Sequence, residues 1–148
     1  MVTLQETAAK FNNHLHVSHT GGRLSSDSGL TLVNEFMDAF HFTELSKQIV
    51  SFNEDRRYWL HDNHKILKQI LFQIIAGYKA DLSADILQHD PVLQTLSTDG
   101  VWASQPSISR FFDRMTEQSI EDLQTLNQVL IDRARLIRND TAMIIDLD

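Results

Sequence analysis

The stretch "DNHKILKQILFQIIAGY", residues 62–78, reads as the main helix of the chain. Ile66, Leu67, Ile70, Leu71, Ile74, Ile75 and Tyr78 recur at spacings of three and four and make one broad apolar stripe. Lys65, Lys68 and Gln69 lie largely off it. A stripe this wide belongs to a helix at the centre of a core. Asp62 is placed to cap its start, where the first N–H groups lack helical partners. Gly77 suits either close helix packing or termination.

Toward the N-terminus the same period continues. In "SSDSGLTLVNEFMDAF", Leu30, Val33, Phe36, Met37 and Phe40 form an apolar face, and Ser26, Asp27 or Ser28 is expected to cap it. A short helix follows from about Thr43 to Ile49, with Leu45 and Ile49 inward. Residues 1–24 are polar with little periodicity, broken by Gly21-Gly22, and read as a loosely held arm. Its His14, His16 and His19 have no framing carboxylate or rigid helix, so they read as solvated and not as metal ligands. The connection "SFNEDRRYWLHDNH" mixes Arg56 and Arg57 with Tyr58 and Trp59. Cations beside aromatics suit a nucleic-acid backbone and a stacked base. The simpler reading, preferred here, packs Trp59 on the core and leaves the arginines wet.

Toward the C-terminus, Leu82 to Gln88 reads as a short helix. In "HDPVLQTL" Asp90 caps and Pro91 takes the first helical position, where its missing N–H costs nothing. Asp99-Gly100 marks a turn. In "WASQPSISRFFDRM" a helix starts near Pro106 with Ile108, Phe111, Phe112 and Met115 on its apolar face, and Ser107, Arg110 and Arg114 on or near the other side. Ser119 opens the last long helix, with Asp122 three residues on. Leu123, Leu126, Leu130, Ala134 and Ile137 continue its stripe, and Arg133, Arg135 and Arg138 gather near its end, where cations suit the helix dipole. Asn139-Asp140 breaks it. Met143, Ile144, Ile145 and Leu147 then read as a strand buried on both faces. Nothing earlier in the sequence offers it a partner, so this reading expects its hydrogen bonds to be completed by residues outside the chain.

These elements give a mainly α fold in three parts. Residues 1–24 are the polar arm, 25–139 a helical domain, and 140–148 the opening strand of a second domain. The chain has 148 residues, 42% hydrophobic and 22% charged, which suits one domain with a core. No apolar run reaches the roughly 20 residues of a membrane helix. The N-terminus lacks a secretory signal pattern, and the absence of cysteine excludes disulfides and thiolate metal sites, so a cytoplasmic location is expected. The net charge of −7 counts against a freestanding nucleic-acid binder, since Lys and Arg on phosphates supply most non-specific affinity.

Two features bear on chemistry. The short helix near Val92, a turn with Gly100, and a helix beginning Ser-Gln-Pro-Ser have the order of a helix-turn-helix element. Gln105, Ser107, Ser109, Arg110 and Arg114 are then the candidate DNA-binding residues, with hydroxyls and guanidinium groups on phosphates or base edges. Residues 101–140 hold five arginines against six acids, so no basic stripe runs along this region. The second feature is Asp146-Leu147-Asp148. Residues two apart on a strand share a face, and two carboxylates there suit a hard divalent cation. Read from the two aspartates alone, they are a solvated strand end.

The segments "LSSDSGLTLVNEF", "ILFQIIAGYKADLSADILQHDPVLQTL", "ASQPSISRFFDRM" and "MIIDLD" stand in an order and spacing that resembles DDE-type insertion-sequence transposases, and looks most like the thirteen-eighty group. The matching positions are Gly77-Tyr78, His89-Asp90-Pro91, Ala103 to Phe111, and Asp146 to Asp148, within about residues 24–148. The resemblance implies a helical N-terminal region leading into an RNase H-like catalytic domain. There three acids bind two divalent ions, usually Mg²⁺, which activate water or a 3′-hydroxyl and stabilise the leaving oxygen. Asp148 falls on the first catalytic and metal-binding acid, with Asp146 beside it as a helper. The group's motif continues with Ser or Thr, a second aspartate and a glutamate. None follows Asp148 here, so the 148 residues are expected to be an inactive N-terminal fragment. The resemblance also implies element terminal inverted repeats as the DNA partner and a homo-oligomer in a transposition complex. Two other readings stand beside it. One is a non-enzymatic helical DNA-binding or regulatory module derived from a transposase. The other is a helical interaction domain with no DNA role, which the net charge favours.

Overall fold

The computed structural model describes residues 7–9, 12–17, 27–80, 82–97 and 99–138. An antiparallel pair joins β1 (Thr7–Ala9) to β2 (Asn12–Val17), with a register shift between Ala8 and Ala9. The segment expected to be a loose arm therefore carries ladder hydrogen bonds. The expected strand over 140–148 lies outside the described residues.

Helices account for the rest, as the apolar periodicity requires. They are α1 (Leu30–Ala39), α2 (Phe42–Ile49), α3 (Asn63–Ile75), α4 (Ser83–Leu87), α5 (Pro91–Thr95), α6 (Gln105–Asp113) and α7 (Glu117–Arg138). The central helix is α3. Asp62 caps it by accepting from the Lys65 N–H at 2.7 Å. Its end is a Schellman motif: Gly77 sits at φ +87°, Gly77 N–H bonds to Ile74 O and Tyr78 N–H to Gln73 O. Termination is thus the role of Gly77, since only glycine takes that φ without strain.

The buried face of α3 is rotated from the expected stripe. Ile66, Leu67, Phe72 and the polar Gln69 and Gln73 are buried, while Ile74 and Ile75 are exposed. Helices α1, α2 and α6 all contact α3, and Ile70, Leu71 and Tyr78 of the expected stripe are partly buried against the core. In α1, Leu30, Met37 and Phe40 are buried as expected, with Asn34 buried beside them. Phe36 lies outside the core and stacks on Phe40 at 4.2 Å. The N-cap position of α1 falls on Gly29, which has no side chain to cap it. Asp27 accepts from the Tyr78 hydroxyl, joining the start of α1 to the end of α3.

Helix α7 begins before the expected Ser119. Thr116 and Ser119 cap reciprocally, each side-chain oxygen accepting from the other's N–H at 3.0–3.1 Å. Asp122 accepts from both the N–H and the hydroxyl of Ser51, which docks α7 beside the end of α2. Leu126 is buried, but Ile137 and Leu136 are exposed, so the expected stripe ends short of Ile137. Arg133 donates to Phe40 O at 2.8 Å and so caps the C-terminus of α1 from α7.

Candidate nucleic-acid interface

The approach to α6 is fixed from below. Gln69 on α3 meets Ala103 twice: its Nε2 donates to Ala103 O, and its Oε1 accepts from Ala103 N–H, both at 2.8 Å. Trp102 Nε1 donates to Leu93 O, tying the same segment to α5. Lys65 pairs with Asp99 at 2.6 Å and lies 5.8 Å over the Trp102 ring. Ile108 and Phe111 then bury one side of α6, with Phe111 against Phe52. Residues 96–104 separate α5 from α6. This connection is longer than the three- or four-residue turn of a tight helix-turn-helix. Helix α6 rests on α3 and α4, and α5 on α1.

A cleft of about 390 Å³ opens beside α6. Its cations are Arg56 from the long connection before α3, and Arg110 and Arg114 from α6. Two of them converge on one atom. Arg56 Nη2 donates to Asn63 Oδ1 at 3.2 Å, and Arg114 Nε donates to the same oxygen at 2.9 Å. Arg114 Nη2 is buried and has no hydrogen-bond partner among the described residues. Arg110 is exposed and makes no ion pair with a described residue. Ser107 and Ser104 add hydroxyls to the wall.

The local field is set by a few pairs. Glu54 binds Arg56 with both carboxylate oxygens and also accepts from Asn63 Nδ2. The hydrogen bond from Arg56 is the main reason its carboxyl is lowered from 4.5 to about 2. Asp99 is held well below the usual carboxylate range, first by Lys65, then by Ser97 and the Val101 N–H. His61 lines the cleft but is buried, and burial lowers its pKa. Glu54 thus offsets part of the three-arginine cluster, and Asp55 and Asp113 also act on it, inside a chain whose net charge is −7.

The five candidate DNA-binding residues separate into two groups. At about 100° per residue, Ser107, Arg110 and Arg114 fall on one stripe of α6, and that stripe faces the cleft. Gln105 and Ser109 lie on the other side of the helix. The Gln105 N–H is already taken by Asp85 Oδ1 at 2.9 Å. A carboxylate at that helix start competes with any phosphate there, which leaves the side chains of Ser107, Arg110 and Arg114 as the candidates along α6.

The connection before α3 departs from its simpler reading. Trp59 is 53% exposed and does not pack into the core, and Arg56 is engaged with Glu54 and Asn63 while lying 5.9 Å over the Trp59 ring. Asn63 was not singled out from the sequence. No local signal marks it, because its role is to gather side chains from residues 54, 56 and 114.

Asp146 and Asp148, the candidate catalytic and metal residues, lie outside the described residues, as does His19. Among the described residues no group of three or more His, Asp or Glu is placed to hold a metal ion. The described residues therefore do not supply a site for Mg²⁺, and no metal-dependent step is derived from them. Among the described residues no helix is long and apolar enough to cross a membrane.

A helical scaffold presenting arginines beside one helix defines a broad class, an α domain with an arginine-lined cleft. The family is more specific. The family model described as "Transposase DDE domain group 1" matches residues 7–148, so this chain belongs to the DDE-type transposases. Comparison with the curated proteins and with the solved structures returned no match. Family membership implies DNA as the partner and a divalent metal, Mg²⁺, in catalysis.

Proposed function

We propose that this chain is the DNA-end-binding region of a transposase of the thirteen-eighty group, with α6 as the helix that meets the element's terminal inverted repeat. One observation carries the reading. Arg56 and Arg114, from distant parts of the chain, point two guanidinium groups at the single oxygen of Asn63, beside the exposed Arg110. Like charges brought this close repel; Glu54 relieves this on the Arg56 side, and a further anion beside Arg114 and Arg110 relieves the rest. A DNA phosphate is the anion that the family supplies. Once a phosphate sets the register, Ser107 and Arg110 are placed to reach further along the backbone or to a base edge. The α5–α6 pair serves as the helix-turn-helix-like element with a lengthened connection.

In the same reading Asp148, helped by Asp146, is the chain's contribution to the family's two-metal site in an RNase H-like domain. Membership of the DDE family and the position of the Asp-Leu-Asp motif support it. A homo-oligomer on paired ends belongs to this reading too, and sedimentation of the DNA-bound chain tests it.

The test is fluorescence anisotropy at low salt, with a duplex carrying the terminal repeat and a scrambled duplex of the same length. Tighter binding to the repeat is expected. Removing one phosphate contact should lower the slope of log K against log salt by about 0.9. No binding of the intact chain to the repeat overturns the assignment.

A further inference from the structure

At the rim of the arginine cleft the connection between α2 and α3 presents Tyr58, Trp59 and Leu60 in succession to solvent. They are 90%, 53% and 80% exposed. Three consecutive large side chains in water are unfavourable on a soluble domain, and such patches mark contact surfaces. Their placement is held firmly from below. Arg56 is locked by Glu54 and Asn63, and Asn63 is fixed as the first residue of the capped helix α3. The tip stands on an ordered base, with Tyr58 and Leu60 its most exposed side chains.

Chemistry selects the occupant. Arg56 lies over one face of Trp59, and the side chain remains half-exposed. Leu60 and Arg56 both line the cleft, and Arg57 is exposed between Arg56 and the aromatics. A flat apolar surface set among three or four arginines fits a planar group attached to an anionic backbone. That description is a nucleobase on its phosphate. In intact duplex DNA the base faces are stacked on each other and are closed to a side chain. An unpaired base offers its face freely, and base–aromatic stacking is tolerant of sequence.

We infer that Tyr58 and Trp59 form a stacking platform for an unpaired base next to the duplex held in the cleft, so that the chain prefers a duplex with a single-stranded extension to a blunt one. The inference rests on the cleft being a DNA site. The cleft holds phosphates of the paired region, and the platform takes the first base beyond it.

The probes are a blunt duplex and the same duplex with a short single-stranded extension at either strand end, titrated into the full 148-residue chain. The extended duplex is expected to bind about tenfold more tightly. Trp59 emission is expected to fall on binding it. Trp59→Ala and Tyr58→Ala should abolish the preference while leaving blunt-duplex affinity within a factor of about two. Trp59→Phe, which keeps a ring face, should retain most of it. Both side chains are exposed, so these variants keep the fold, and thermal unfolding verifies that. Equal affinity for blunt and extended DNA overturns the platform and leaves the cleft reading intact, as does a preference that survives both alanine variants. Failure of both probes to bind overturns the cleft reading itself, and the platform with it.

Discussion

Gln69 and Ala103 are joined through both backbone hydrogen-bonding groups of Ala103, at 2.8 Å each, across 34 residues of chain. Both residues are buried. The side chain thus behaves as a short length of β-partner for one residue, and it sets where α6 begins. Replacing it strands a buried N–H and a buried C=O at once, so Gln69→Leu should lower stability by about 2–4 kcal/mol. Urea unfolding measures this. A loss below about 1 kcal/mol would show that water reaches Ala103 and that the clamp does not fix α6.

The two sides of α6 should respond differently in DNA binding. Arg110→Ala is expected to weaken binding to the terminal repeat by about 1–3 kcal/mol if Arg110 reads a base. Ser109→Ala and Gln105→Ala, on the far side, should change it by less than about 0.5 kcal/mol. The reverse pattern in an anisotropy titration would mean that the helix meets DNA with its other face.

Glu54 links acidity to the order of the connection before α3. Its carboxyl is lowered in the folded chain from 4.5 to about 2, chiefly by the hydrogen bond from Arg56. A lowered acid stabilises the fold fully above its unfolded value and loses that contribution as pH falls through the folded one. Stability should therefore fall between pH 4.5 and 2, and less steeply in Glu54→Gln. The same variant frees Arg56 from its counter-charge. Near neutral pH its DNA binding should strengthen, with a salt slope steeper by up to about 0.9.

Ser119 has three roles at once: it accepts from the Thr116 N–H, its own N–H bonds to Thr116, and its hydroxyl donates to Ser51 O at 2.7 Å. Ser119→Ala removes the acceptor for the Thr116 N–H and the link to the segment after α2, and keeps the bond from its own N–H to Thr116. A loss of about 1–2 kcal/mol is expected. An unchanged melting midpoint would show that the Asp122 contact to Ser51 suffices alone.

Magnesium should not bind this chain tightly by itself. Among the described residues there is no three-ligand group, so the prediction bears on Asp146 and Asp148. Calorimetric titration should give no saturation at micromolar Mg²⁺. Saturation in that range would place further ligands beside Asp148.

The sequence revealed helices where the signal was local. Asp62, Asp90 with Pro91, and Gly77 act at the ends of α3 and α5 through groups within five residues. It misled where neighbours decide. Phe72 and Gln69 are buried because α3 is covered on more than one side, whereas Ile74 stays exposed although the period included it. Asp27 looked like a cap and serves Tyr78; Asp122 looked like a capping partner and serves Ser51. The same limit applies to the interface. Arg110 and Arg114 were legible from the face they share, but their union with Arg56 depends on Asn63, and that meeting is a product of tertiary packing.

The bond from Arg133 to Phe40 O has a mechanical meaning. Helix α7 spans 22 residues, roughly 33 Å at 1.5 Å per residue. It is pinned near its start through Ser119 and Asp122, and again at Arg133. A beam fixed at two points cannot swivel about either one. Force applied to its far end is delivered to α1 as well as to the segment after α2, so the helical domain should respond to a pull on α7 as one rigid body.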